Sequence, residues 1–281
     1  MKILMIGAHQ DDNEFMGGGL AYKYVQIGYT VRFLSLCNGC GGHHIMTKEE
    51  TIIRRREESD KVQQLLGVEY DVWDIDDCSI VPDLQTRRRL INYIREFSPD
   101  LIITHRPNDY HADHRAAGQL IQDASYMLIV PHECPETKAM SKMPVIMYFE
   151  DRFKAPKFSA DIIIAIDDAI DIKLRIAHTN KSQVYEWLPY TYGQTVPETE
   201  NERFEWLKGM NIDENTTDEE ILRATNGYLT KFAKPAALCR NKLIEKYGDE
   251  KGRKVRFAEV FEICEYGRVL TEELKNRLFP F

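Results

Sequence analysis

Short apolar runs that empty into polar, histidine-bearing turns restrict this chain more than any other feature. Ile3-Leu4-Met5-Ile6 is one, and only Gly7 separates it from Ala8-His9-Gln10-Asp11-Asp12-Asn13-Glu14. Leu101-Ile102-Ile103-Thr104 repeats the arrangement and leads straight into His105. Apolar runs of this length, bounded by turn signals, fit strands buried on both faces. Similar runs at Thr30–Leu36, Val68–Ile75, Val145–Phe149 and Ile162–Ile166 alternate with helix-like stretches. The helical stretches are 17–27, stopped by Gly28; Lys48–Leu66; 83–97, opening at Asp83; 111–129; and 167–187. Thr47 and Glu50 form a capping-box pattern at the start of the second, and Gly67 closes it. Such alternation predicts an α/β chain: a Rossmann-like three-layer α/β/α fold with a mostly parallel sheet. Beyond Pro189 the pattern changes to polar and acidic, then to charged and helix-prone. The expected organisation is an α/β domain over 1–189, with a C-terminal helical extension or lid over 190–281 packed on it.

At 281 residues and 43% hydrophobic, the chain can build a full core. Its net charge of −8 speaks against a nucleic-acid partner, which calls for a concentrated basic face. The basic cluster Arg54-Arg55-Arg56 runs directly into Glu57-Glu58, the mixture of a solvated helix face. No run approaches the ~18 apolar residues of a spanning helix, so no membrane span is expected. The first apolar run is too short for a signal-peptide core and lacks a cleavage site, so the expected location is cytoplasmic. Six cysteines are too sparse for a disulfide scaffold.

Two polar clusters carry the chemistry. His9-x-Asp11-Asp12 places a histidine and two carboxylates in the turn after the first strand; alone it reads more readily as an Asp/Asn turn that caps a helix. His111-Ala112-Asp113-His114 follows the 101–104 strand; alone it reads as a surface helix start, with Asp113 favoured near the N-terminus. Together they are far more informative. Both leave the same edge of the same expected sheet, where open α/β folds bind ligands. They offer two histidines, a carboxylate and spare acid/base groups, and three protein ligands with one open position is the pattern of a catalytic zinc site.

These residues resemble the LmbE/PIG-L family of zinc-dependent N-acetylglucosaminyl deacetylases, which carries A-H-P-D-D-E near its start and H-P-D-H in its middle. The resemblance rests on Ala8-His9-Gln10-Asp11-Asp12, Gly17-Gly18-Gly19 and Tyr110-His111-Ala112-Asp113-His114. Arg55 and Glu58 match the family's R-x-x-E helix, and Ser182-Gln183 the end of its H-x-S-Q, so the similarity covers about residues 1–188. It implies His9, Asp12 and His114 as metal ligands and Asp11 as general base toward the water that the metal activates. It implies His111 as a protonated imidazole assisting the tetrahedral intermediate, Asp113 as the group orienting its neighbouring histidine, and Arg55 as a substrate contact. The implied cofactor is Zn²⁺, with other divalent transition metals able to fit, and the implied substrate is an N-acetylated amino sugar. Members of that family often assemble, so a homo-oligomer is among the expected states. Three positions depart from the pattern: Gln10 for proline, Asn13 for glutamate and Asn180 for the histidine of H-x-S-Q.

The loop Cys37-Asn38-Gly39-Cys40-Gly41-Gly42-His43-His44 offers two thiols and two histidines, enough for a second metal or a redox pair; the plainer reading is a pocket rim. His105, His132 and His178 read as ordinary surface or core histidines. The leading function is removal of an acetyl group from an amino sugar or its conjugate. The alternatives are an amidase on a larger amide, a silent sugar-binding protein and a nucleotide-binding Rossmann-like protein. Against the last, the glycine triplet does not fit G-x-G-x-x-G, and two aspartates occupy the turn where a phosphate would sit.

Overall fold

The computed structural model describes residues 1–281. In chain order the elements begin β1 (Lys2–Gly7), α1 (Asp12–Gln26), β2 (Thr30–Cys37), α2 (Lys48–Leu66), β3 (Glu69–Ile75), α3 (Leu84–Phe97), β4 (Leu101–Thr104) and α4 (Ala112–Ser125). Then follow β5 (Val145–Phe149), β6 (Ile162–Ala165), α5 (Ile170–Thr179), a π-helical turn (Ser182–Trp187), α6 (Leu188–Tyr192), α7 (Glu200–Lys208) and α8 (Asp218–Arg223). The chain ends with α9 (Thr230–Leu238), α10 (Arg240–Tyr247), α11 (Asp249–Lys254), β7 (Ala258–Ile263) and α12 (Glu272–Leu278). No helix is long and apolar enough to cross a membrane.

Seven strands form one sheet in the order β3-β2-β1-β4-β5-β7-β6. Neighbours from β3 through β5 pair in parallel, and β7 runs antiparallel to both β5 and β6. Successive side chains of a strand point to opposite faces, and the core divides accordingly. Ile3, Met5, Phe33, Ile103 and Met147 join the cluster on one face, while Leu4, Ile6, Leu34, Ile102 and Ile146 join the cluster on the other. Both faces are covered, as a parallel sheet requires, which makes the predicted three-layer architecture the observed one. The capping box of Thr47 and Glu50 is formed, and Gly67 adopts the left-handed conformation that ends α2.

Two expectations need correction. First, α1 begins at Asp12 rather than at Gly17, so the glycine triplet lies inside it. Close packing explains the glycines: a Cβ on Gly19 would stand 2.9 Å from Ile166 and 3.0 Å from the Glu259 carboxylate. That carboxylate accepts the amides of Gly19 (2.9 Å) and Leu20 (2.7 Å). Lys173 pairs with it at 2.7 Å and donates to the carbonyls of Glu14 and Phe15. Second, the segment after residue 189 is mostly helical but is not only an appendage. It supplies β7, which sits between β5 and β6, and β7 carries Glu259. The helix-prone composition of the last residues masked a short strand whose pairing partners lie about a hundred residues upstream.

Candidate active site

The turn after β1 is bent sharply at Asp11, a non-glycine residue with φ of 127°. A backbone held there costs on the order of 1–3 kcal/mol, and such outliers cluster where a side chain must be aimed. Here the bend places Asp11 just before α1 and Asp12 at its first residue, and the Asp12 carboxylate accepts the His9 amide at 2.8 Å. The loop after β4 runs beside this turn because β1 and β4 are paired neighbours. Gly118 lets α4 pack tightly under that loop: a Cβ would lie 2.5 Å from the His105 carbonyl.

The two clusters meet in space. His114 Nε2 is 3.3 Å from Asp12 Oδ1, and His9 Nδ1 is 3.6 Å from Asp12 Oδ2. The donor atoms of His9, His111 and His114 lie within 4.8 Å of one another, as do those of Asp12, His105 and His114. Each inner histidine is held by a carboxylate on its far nitrogen. Asp113 Oδ2 is 3.0 Å from His9 Nε2, and Asp109 Oδ1 is 3.0 Å from His114 Nδ1. Asp113 was expected to orient its neighbouring histidine in the sequence; its carboxylate instead reaches His9, 104 residues away, and lies 3.9 Å from His111. It is itself fixed by the amides of Cys78 and Ile80. The turn at the start of α4 aims the Asp113 side chain at His9 and the loop after β3, away from its own helix.

Two residues of the cluster were missed from sequence. Asp109 had no motif to mark it. His105, read as ordinary, is 2% exposed, stacks on His114 at 3.9 Å between ring centroids, and sets Nε2 between Asp12 Oδ2 (3.1 Å) and the Ala8 amide nitrogen (3.2 Å). The available signal was its position directly after β4, at the edge where the other groups emerge.

Electrostatics divides the two adjacent aspartates. Burial works against ionised Asp12, but His114 and His105 outweigh it and hold its pKa well below the usual range. Burial pushes the Asp11 pKa up to about 6, opposed by Arg55 and reinforced by the charge of Asp12. Arg55 is 2% exposed; its Nη2 is 3.3 Å from Asp11 Oδ1, and its Nε and Nη1 have no partner. The same helix turns Glu58 toward the Ser182 amide (2.9 Å) and hydroxyl (2.6 Å), anchoring the π-helical turn. Gln183 in that turn donates to the Gly42 carbonyl at the rim.

His111 differs from its expected protonated form. Its Nδ1 accepts the Asp113 amide at 3.1 Å, capping α4, and burial with the nearby His9 and His114 lowers its pKa. The ring is therefore a neutral tautomer that carries its proton on Nε2.

The cysteine–histidine loop does not gather its own two thiols and two histidines into one donor group. Cys37 and Cys40 are free thiols. Burial and the carboxylates of Asp113 and Asp77 push the Cys37 thiol up, far from a thiolate. His43 pairs with Glu186 at 2.9 Å, and His44 stacks on Tyr190 at 3.9 Å. Of the departing positions, Asn13 donates to the Leu34 carbonyl and Asn180 to the Ile176 carbonyl, both buried in the scaffold. His178 lies between Tyr185 and Glu200.

The donor set suits a divalent cation. Burial opposes charge on His9 and His114, yet the surrounding carboxylates raise both pKa values, His114 to about 9. The cluster thus demands positive charge, and its two histidine–carboxylate pairs are the arrangement that orients imidazole ligands.

The chain is similar to known proteins in sequence and in fold. Residues 4–125 match the family of PIG-L, GlcNAc-PI de-N-acetylase. The 4-oxalmesaconate hydratase of Pseudomonas putida is 25% identical over 196 residues, 67% of this chain and 76% of that protein. Among solved structures, the 4-carboxy-2-hydroxymuconate hydratase of Pseudomonas putida superposes with a TM-score of 0.69 at 19% identity, covering 96% of this chain and 98% of that one. The N,N'-diacetylchitobiose deacetylase of Pyrococcus horikoshii superposes with a TM-score of 0.64 at 19% identity, covering 94% and 84%. The similarity to the PIG-L (LmbE-like) family thus spans residues 4–125, the segment from β1 to α4 that carries both polar clusters.

Proposed function

We propose that this protein is a metal-dependent hydrolase that removes the acetyl group from an N-acetylated amino sugar or its conjugate. The observation that carries the reading is Asp11: a carboxylate with its pKa near 6, held by Arg55 beside a braced His–Asp–His donor set. His9, Asp12 and His114 would hold the cation. Zinc suits this set, and iron, cobalt or manganese would also fit. When bound, the ion would supply Lewis acidity, polarising the amide carbonyl and acidifying the attacking water.

The protein's own groups do the rest. Asp11 takes the proton from water as it attacks the amide carbon, and a base whose pKa lies near the working pH is efficient at this. Arg55 holds the carboxylate in place for that transfer. His111 offers Nε2–H to the carbonyl oxygen as negative charge develops there. As the C–N bond breaks, the proton stored on Asp11 passes to the departing amine. An amidase acting on a larger acyl group would use the same residues.

A second reading is favoured by the hydratase relative. Adding water across a carbon–carbon double bond needs the same proton acceptor and a proton donor opposite, roles open to Asp11 and His111. One assay separates the two. Metal-loaded protein is offered a panel of N-acetylated sugars with free-amine detection, and conjugated dicarboxylates with ultraviolet detection. Amine release supports the hydrolase; loss of diene absorbance with no amine released from any sugar would replace it with the hydratase.

A further inference from the structure

Three donor groups beside the active site keep lone pairs that the fold does not use. Cys78 lies in the loop between β3 and α3; its sulfur, a ring nitrogen of His111 and a carboxylate oxygen of Asp113 all lie within 4.8 Å of one another. Cys78 is a free thiol, exposed to solvent. The Nδ1 lone pair of His111 is taken by the Asp113 amide at 3.1 Å, so the nitrogen open to an ion is Nε2. Asp113 Oδ2 is engaged by His9, the Cys78 amide and the Cys37 thiol. Its Oδ1 accepts only the Ile80 amide, at 3.2 Å, and keeps a second lone pair.

The backbone that carries this thiol is anchored. The Cys78 amide donates to Asp113 Oδ2 at 2.6 Å, and its φ of 64° lies in the left-handed region that a non-glycine residue rarely adopts. The preceding residue, Asp77, accepts the amides of Gly39 (3.0 Å) and Gly41 (2.9 Å), which ties this loop to the one after β2. A second sulfur-containing group, His9, Cys37 and Asp77, satisfies the same distance but is occupied. Cys37 is fully buried and donates to the Asp76 carbonyl and to Asp113, each at 3.7 Å. His9 has a carboxylate against each nitrogen, and both Asp77 oxygens hold amides.

We propose that Cys78, His111 and Asp113 form a second metal site, separate from His9–Asp12–His114, that takes a soft divalent ion such as Zn²⁺ or Cd²⁺. Thiolate, imidazole and carboxylate are all ligands of tetrahedral zinc, and water can fill the fourth position. The thiolate gives this site a preference for softer ions than the thiol-free set beside it. Cys78 releases its proton to solvent as it ligates. Ligation through Nε2 moves the remaining His111 proton to Nδ1, where Asp113 Oδ2, 3.9 Å away, is an acceptor. The cap bond from the Asp113 amide is then given up, so the second ion binds more weakly than the first. Nε2 is also the atom that offers its proton to the substrate oxygen in the reaction proposed above, so filling the site stops turnover. That consequence rests on the hydrolase reading; the binding does not.

The test has two arms. In the first, protein loaded with one equivalent of Zn²⁺ is titrated with Cd²⁺ while the ultraviolet thiolate-to-cadmium charge-transfer band is followed. One equivalent should bind. Cys78→Ser should abolish the band, and Cys239→Ser, a thiol between α9 and α10, should leave it unchanged. His111→Ala should weaken binding about tenfold or more, since even an outer contact to a ligand is worth about 10–100-fold. A band that persists in Cys78→Ser overturns the site. So does unchanged affinity in His111→Ala, the mark of a lone thiol. In the second arm, amine release is measured as Zn²⁺ is raised beyond one equivalent. Turnover should fall about 10²-fold or more, the low end for losing a positioned proton donor, and Cys78→Ser, equally active at one equivalent, should resist. Equal inhibition in both proteins, or none, overturns the effect on His111. If no substrate is turned over, the hydrolase reading fails and the cadmium titration still decides the site.

Discussion

The floor and the mouth of this site are built on opposite principles. On the floor, every inner donor is braced: His9 by Asp113, His114 by Asp109, Asp12 by His105 and by the His9 amide. At the mouth, buried Arg55 reaches Asp11 through Nη2 and leaves Nε and Nη1 without a partner. A braced donor set keeps its geometry through a reaction cycle, so its order is spent on positioning. Unpaired guanidinium N–H groups keep their hydrogen-bonding capacity for something that arrives.

The contrast can be broken most severely at its centre. His114→Ala removes a floor donor, and metal analysis should then find the purified protein without its ion; full metal retention would sink the ligand assignment. Asp11→Asn should keep the ion yet slow turnover by about 10²–10⁴-fold, the usual worth of a positioned base. A variant with normal turnover would remove Asp11 from that role. Asp109→Ala tests bracing rather than ligation: metal affinity should fall about 10–100-fold with the three donors intact, measured by chelator competition. No loss there would mean that His114 is positioned by packing on His105 alone.

The smallest effect belongs to Glu150, directly after β5. Glu150 holds its proton up to about pH 7 in the folded chain, against 4.5 for the free side chain. Between those values the unfolded chain gives up the proton first, so this residue subtracts stability as pH rises from 4.5 through 7, after which its contribution is level. Glu150→Gln should therefore leave stability unchanged at pH 4 and raise it by about 1 kcal/mol at pH 8, after discounting for partial exposure. Denaturant titrations at the two pH values check this; an equal change at both would show that Glu150 contributes through packing instead.

Much of the floor was legible because its residues sit in short, regular patterns. His9, Asp11 and Asp12 follow a strand-length apolar run, and His111 and His114 follow another. Once both runs are assigned to neighbouring parallel strands, the convergence of the two clusters is a consequence of topology. The mouth was less legible. Which atoms of Arg55 stay unpaired depends on side chains far along the chain. Asp109 was invisible for the same reason, since a lone aspartate in a loop carries no signal about which imidazole it will meet.

Local pattern was enough to determine the order of the first six strands and the helices among them, the edge at which ligands would gather and the residue types able to hold a cation, because periodicity and spacing are properties of neighbouring residues. Only the tertiary structure decided that Asp113 braces His9 rather than its neighbour, that His111 is a neutral cap, and that Glu259 on β7 enters the sheet to secure α1 with Lys173. Those outcomes depend on which distant surfaces pack together and on the need to pair every buried charge and amide, and no stretch of the chain carries that information alone.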